Sequence, residues 1–166
     1  MSIPDVIEPQ KLDDYLEIMT RAVFQAGVSW ALVDKKWAAF RKAFADFDVE
    51  RVSRFDEDDM KRLCEDEGIL RSKKKIQATV ENAQIMRELD KEHGSFSAYL
   101  HSFASYEALS NDIRRRFRFV GELSVYYMLF RVGEPVPPFD AWVRTIPGDH
   151  PRMREMVEQA ERAKKP

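Results

Sequence analysis

Apolar residues recur along this chain at helical spacing. Leu12, Leu16, Met19 and Val23 fall three or four residues apart and predict a helix with one buried stripe. After a break at Gly27, Trp37, Phe40, Phe44 and Phe47 continue the same period. Asp48 is placed to cap a turn, and Asp56 with Asp59 forms an acidic helix start leading into Met60, Leu63 and Cys64, with Gly68 as its stop. The longest run is predicted from Lys73 to Glu92, apolar at Ile76, Val80, Ala83 and Ile85 to Leu89 and ended by His93-Gly94. Ser95 then caps a helix through Phe96, Tyr99, Leu100 and Phe103. A short basic helix after Ser110, a turn at Gly121 and an apolar helix through Val125, Tyr126, Leu129 and Phe130 follow, ending at Gly133. Pro135, Pro137 and Pro138 force a rigid, non-helical connection from Glu134 to Phe139, and a last helix is predicted from Pro151 to Lys164. No stretch alternates with the period of a strand, so the expected class is all-α, organised as a single domain over 1–166.

Composition narrows the class of function. With 44% hydrophobic and 34% charged residues the chain has enough apolar content to build a core and is not of the disordered type. It has no apolar stretch near the roughly twenty residues that a membrane span needs. The opening MSIPDVIEPQ lacks the basic-then-apolar layout of a secretory signal, and Cys64 is the single cysteine, so a reducing cytoplasm is the expected location. A net charge of −2 gives no electrostatic case for nucleic acid from the chain as a whole. The distribution is more informative. Basic residues gather at Arg71, Lys73, Lys74 and Lys75 and again at Arg114, Arg115, Arg116 and Arg118. Such runs form either one cationic face or two separately solvated helix ends.

Three segments occur in an order that adds specificity. The first is Phe24-Gln25-Ala26-Gly27-Val28-Ser29-Trp30, followed by Lys35, Lys36, Phe40, Arg41 and Phe44. The second is Gly68-Ile69-Leu70-Arg71, continuing through Lys75-Ile76-Gln77-Ala78 to Asn82-Ala83. The third is Arg118-Phe119-Val120-Gly121. Together with Gly94-Ser95-Phe96 and Tyr99-Leu100, this ordered set resembles the DNA-3-methyladenine glycosylase I family, over roughly residues 12–130. The resemblance implies a helix-hairpin-helix DNA glycosylase fold, with helical lobes around a DNA and base cleft. Gly121, between a basic helix and an apolar one, suits a hairpin turn whose backbone amides approach a DNA phosphate; a plain αα-hairpin uses such a glycine too. Arg116, Arg118, Phe119 and Val120 flank it, and Lys73 and Lys75 add charge from the second segment. In the family, the tryptophan matching Trp30 is a base-pocket residue. Gln25 either reads a base edge or satisfies nearby backbone, and Phe24 stands beside them.

Departures from the family pattern matter equally. The cysteines and histidines that hold a structural zinc in the family have no counterparts here; Cys64 is isolated, and His93, His101 and His150 have no partner at ligand spacing. No metal site and no cofactor are expected. The family's glutamate ahead of the Gln-Ala-Gly motif is replaced by Ala22. A different carboxylate, Asp140, lies in Phe139-Asp140-Ala141-Trp142-Val143-Arg144, which resembles the catalytic-aspartate stretch of the wider helix-hairpin-helix superfamily and follows Gly121 at a similar distance. The resemblance makes it a candidate for stabilising an oxocarbenium-like sugar. From local sequence, Asp140 could equally cap a helix after the prolines. The hairpin carries Val120, Gly121, Glu122 and Leu123 and no lysine nucleophile, which implies monofunctional chemistry. The expectation is a monomeric hydrolase that removes alkylated purines, such as 3-methyladenine, from double-stranded DNA. The competing expectations are a non-catalytic DNA-binding descendant and a helical protein-interaction module.

Overall fold

The computed structural model describes residues 3–164, and among these every regular element is helical. Ten α-helices follow one another: α1 (Leu12–Gln25), α2 (Trp30–Ala43), α3 (Val49–Val52), α4 (Glu57–Glu65), α5 (Lys73–His93), α6 (Phe96–Leu100), α7 (Tyr106–Arg116), α8 (Glu122–Arg131), α9 (Phe139–Val143) and α10 (Pro151–Ala163). α5 is the spine, packing on α1, α3, α4 and α6, and α1 in turn packs on α8, so that α1 runs between α5 and α8. The cause is visible in burial. Leu16, Met19 and Val23 of α1, Ile76, Ala83 and Met86 of α5, and Val125, Met128 and Leu129 of α8 are all almost fully buried.

Local signals set most boundaries. The Asp56 and Asp59 side chains each accept the other's backbone N–H and start α4 with a complete capping box. Ser29, Ser72, Ser95 and Ser105 cap α2, α5, α6 and α7. Gly94, at φ +85, ends α5 in the left-handed conformation expected of a C-terminal glycine.

Some local boundaries differ from the expectation: the helix expected through Phe103 ends at Leu100, and the turn expected to begin at Phe47 starts at Ala45. Phe47 continues the aromatic stripe but not the helix: Ala45, Asp46 and Phe47 all take positive φ, in a 3-10 turn between α2 and α3. Ring stacking of Phe47 on Trp37 at 5.3 Å and on Phe44 at 5.7 Å, with Asp13 accepting from the Val49 N–H at 2.9 Å, holds that turn. Gly68 does not end α4, which stops at Glu65; a Cβ at Gly68 would stand 3.0 Å from that of Ala39, so the glycine permits close packing instead. The basic helix after Ser110 begins earlier, because Ser105 caps it.

The tail is attached through side chains spaced for one helical face. Met153, Met156 and Val157 of α10 enter the core, and Arg154 reaches back to Asp140 at 2.7 Å. Near the other end, the Ile7 N–H donates to the Arg131 carbonyl at 2.7 Å. No helix among the described residues is long and apolar enough to cross a membrane.

Candidate functional site

A cavity of about 540 Å³ opens between the end of α1, the start of α8 and the start of α10. Ala22, Gln25, Ala26, Gly27, Val28 and Trp30 line it from the first side. Gly27, at φ +73, makes the turn out of α1, and Ser29 caps α2 so that Trp30 stands at its first position. The indole is held edge-on against the Tyr127 ring at 5.4 Å, leaving it half-buried in the cavity wall. Phe119, Gly121, Glu122, Leu123, Ser124 and Tyr127 form the second side, and Asp149, His150, Pro151, Arg152 and Met153 the third.

Gln25 is 95% buried by the inverse of its 5% exposure, yet neither its carboxamide oxygen nor its nitrogen has a hydrogen bond of normal geometry among the described residues. The Tyr127 hydroxyl is near it, and burial pushes that phenol's pKa up, so it stays protonated. A buried amide left unsatisfied costs about 1–3 kcal/mol. In a cavity wall, such a group is positioned to meet the edge of a planar polar ligand.

The hairpin between α7 and α8 contributes Phe119 and Gly121 to the cavity wall. Its loop is pinned to α5 by Asn82, whose carboxamide accepts from the Arg118 N–H at 2.7 Å and donates to the Arg118 carbonyl at 3.1 Å. Gly121 stands at the cap position of α8 with extended backbone and no side-chain cap, and a Cβ there would meet nothing within 4 Å. Phe119 takes a left-handed φ of +56 with its ring 52% exposed. It lines both the cavity and a neighbouring groove formed with Lys74, Gln77, Glu81 and Arg118.

The sequence-derived candidates separate clearly on this frame. Trp30 and Gln25 share the cavity wall, and Arg118, Phe119, Val120 and Gly121 share the hairpin loop, with Val120 buried beneath it. Phe24 is a correction: its ring is fully buried against Phe40 at 4.7 Å and does not line the cavity, because neighbours on a helix are about 100° apart. Asp140 is a second correction. It lies outside the cavity lining, 78% exposed at its side chain, and bonds Arg154 at 2.7 Å; Pro138, not Asp140, occupies the cap position of α9.

The lysine run resolves for the same rotational reason. The Lys75 ammonium turns inward to the Ala26 carbonyl at 2.9 Å, where burial lowers its pKa, and Lys73 lies along a different groove with Phe55 and Cys64. Lys74 alone of the three reaches the hairpin groove. The Arg116 Nε is committed to Asp112 at 2.7 Å. The sequence placed Asn82 in a motif and Lys74 in a basic run without giving either a role at the hairpin, and it did not point to Tyr127 or the 149–153 wall. A polar residue in the middle of the apolar stripe of α5 was the available signal for Asn82. Asp149 and His150 carried none beyond preceding a helix-starting proline.

Comparison with known proteins agrees with this geometry. Residues 8–116 match the methyladenine glycosylase family. The chain belongs to that family. A DNA-3-methyladenine glycosylase 1 of Escherichia coli is 31% identical over 130 residues, spanning 66% of this chain and 70% of the relative. A DNA-3-methyladenine glycosylase of Haemophilus influenzae is 27% identical over the same shares. Among solved structures, a 3-methyladenine DNA glycosylase I from Staphylococcus aureus superposes with a TM-score of 0.68 at 26% identity, covering 76% of this chain and 79% of its own. A point variant of a 3-methyladenine DNA glycosylase I, solved in complex with 3-methyladenine, gives 0.67 at 26% identity, covering 76% and 80%. The all-α, helix-hairpin-helix glycosylase fold expected from the motifs is therefore the fold of this family member. The replacement at Ala22 falls in the cavity wall itself. Among the described residues, no group of three or more His, Cys, Asp or Glu side chains is arranged to hold a metal.

Proposed function

We propose that this chain is a monofunctional DNA glycosylase that hydrolyses the N-glycosidic bond of 3-methyladenine-like purines in duplex DNA, opening base excision repair. One observation carries the reading: Trp30 and the Gln25 amide, which has no hydrogen bond of normal geometry, share one cavity that the Gly121 hairpin also lines. A nucleotide turned out of the duplex would place its base against the indole, with the Gln25 carboxamide at its edge. The uncapped amides of the hairpin would hold a backbone phosphate, and Arg118 with Lys74 would add charge beside it. A base alkylated at N3 already carries positive charge and leaves readily, which lowers the barrier left to the protein. Absence of a lysine from Val120 to Leu123 supports direct attack by water and release of an abasic site. The same reading takes the chain as a single domain acting as a monomer on damaged DNA in the cytoplasm.

Ala22 in the cavity wall favours a second reading, a DNA-binding descendant without chemistry. Incubation with duplex carrying labelled methyl lesions, followed by chromatography of the released bases, separates the two. The glycosylase reading expects free 3-methyladenine, and expects Trp30→Ala to lower its release by about 5- to 150-fold, the span given by a base-stacking contribution of about 1–3 kcal/mol. Duplex binding with no base release would favour the second reading. Neither release nor binding would sink both.

A further inference from the structure

The glycosylase reading leaves one chemical need unmet. As the C1′–N9 bond breaks, its electron pair stays on N9 and neutralises the base, while positive charge moves to the sugar. Water then bonds to C1′ through oxygen and gives up a proton. A negative charge close to C1′ lowers the barrier to both steps, and Ala22 supplies none.

Two acidic residues line the cavity, and their surroundings differ. Glu122 is paired with Arg114 at 3.3 Å. The carboxylate of Asp149 has no ion pair or hydrogen bond among the described residues. Arg152, the cavity's cationic side chain, is paired with Glu155 along α10. Asp149 is also held in place: Gly148 turns the chain at φ +93, and the His150 ring bonds the Pro147 carbonyl at 3.0 Å through Nε2, bracing the turn just before α10. The buried Gln25 amide, which lines the same cavity with no hydrogen bond of normal geometry and the Tyr127 hydroxyl as its neighbour, independently marks it as a ligand site.

We infer that Asp149 is the catalytic carboxylate of this enzyme, placed in the base cavity by the segment ahead of α10, outside the matched residues 8–116. The inference rests on the glycosylase reading. Asp149 stabilises the cationic sugar, accepts the proton of the attacking water and returns it to solvent. The negative charge that the family pattern carries in α1 comes in this chain from the far end of the sequence.

The test combines single-turnover release of 3-methyladenine with binding to two abasic-analogue duplexes, one with a pyrrolidine that is cationic at neutral pH and one with a neutral tetrahydrofuran. Wild type is expected to bind the cationic analogue about tenfold or more tighter than the neutral one. Asp149→Asn should slow release by about 100-fold and reduce that preference to within about twofold, while binding of the neutral duplex stays unchanged. Asp140→Asn, on an exposed residue outside the cavity, should alter neither quantity. If Asp149→Asn releases base at the wild-type rate and keeps the cationic preference, the inference is overturned and the glycosylase reading stands. If wild type neither releases base nor binds either duplex, both are overturned.

Discussion

Two buried polar side chains, Asp112 in α7 and Gln25 in α1, sit in helices of the same fold and have opposite surroundings. Asp112 accepts from the Tyr99 hydroxyl at 2.6 Å, from Arg115 at 2.6 Å and from the Arg116 Nε at 2.7 Å. Burial alone would push its carboxyl up, but the hydrogen bonds from Tyr99, Arg115 and Arg116 outweigh it and hold the pKa below the usual carboxylate value. Burial and the bond to Asp112 push the Tyr99 phenol well above its ordinary range. Gln25, equally hidden from water, has the Tyr127 hydroxyl beside it but no hydrogen bond of normal geometry. The difference separates structure from function. A saturated polar node stabilises the helix that leads into the hairpin, whereas an unsaturated one is retained at a cost that a bound ligand would offset.

The largest effect should come from breaking the saturated node. Asp112→Asn removes a charge that two arginines and a phenol surround; because Arg115 and Arg116 are largely in water, the cost should be about 2 kcal/mol, below that of a fully buried pair. Chemical denaturation at pH 7 checks it. The pH dependence has a definite sign. A carboxyl depressed in the folded state contributes stability fully above its unfolded value near 3.9, and loses it as pH falls through the lower folded value. The gap between wild type and variant should therefore shrink from pH 5 to pH 2, and a gap that stays constant would assign the cost to packing.

A smaller effect of opposite sign is expected at the unsaturated site. Gln25→Leu replaces that amide by an apolar side chain of comparable bulk, and should raise stability by about 1 kcal/mol while lowering 3-methyladenine release by about tenfold. Loss of stability in that variant would mean that the amide is satisfied, with Tyr127 as the nearest partner. Phe119→Gly should change least. Relief of a left-handed residue, about 1 kcal/mol, is offset by glycine's greater freedom in the unfolded chain, leaving the melting temperature nearly unchanged. Duplex affinity should nonetheless fall severalfold, since the half-exposed ring that bridges cavity and groove is removed. Retained affinity would reduce Phe119 to a loop residue.

Much of the architecture was legible in advance, because helix-forming signals are local. The Asp56/Asp59 box, the Ser95 cap, the stop at Gly94 and the start at Pro151 each act within one turn of the chain. The stripe on α1 and the aromatic series ending at Phe47 identified the buried faces, although the 3-10 turn at 45–47 depends on ring stacking across several residues. The candidate site was legible where the motif and the cavity coincide, at Gln25, Trp30 and Gly121. It failed where a charge in the sequence had to be given a direction. Lys73, Lys74 and Lys75 read as one basic run, yet successive rotations of about 100° send them to three different surroundings.

The sequence by itself determined the helices, their caps, the buried stripes and the family, since these depend on spacing and on residues only a few positions apart. Tertiary structure alone decided which polar groups share a cavity. Asp140 and Asp149 are both carboxylates beside short connections late in the chain, and nothing local distinguishes them. Packing of α10 through Met153, Met156 and Val157 brings Arg154 onto Asp140 and leaves Asp149 along the cavity, a choice made by long-range burial of apolar surface.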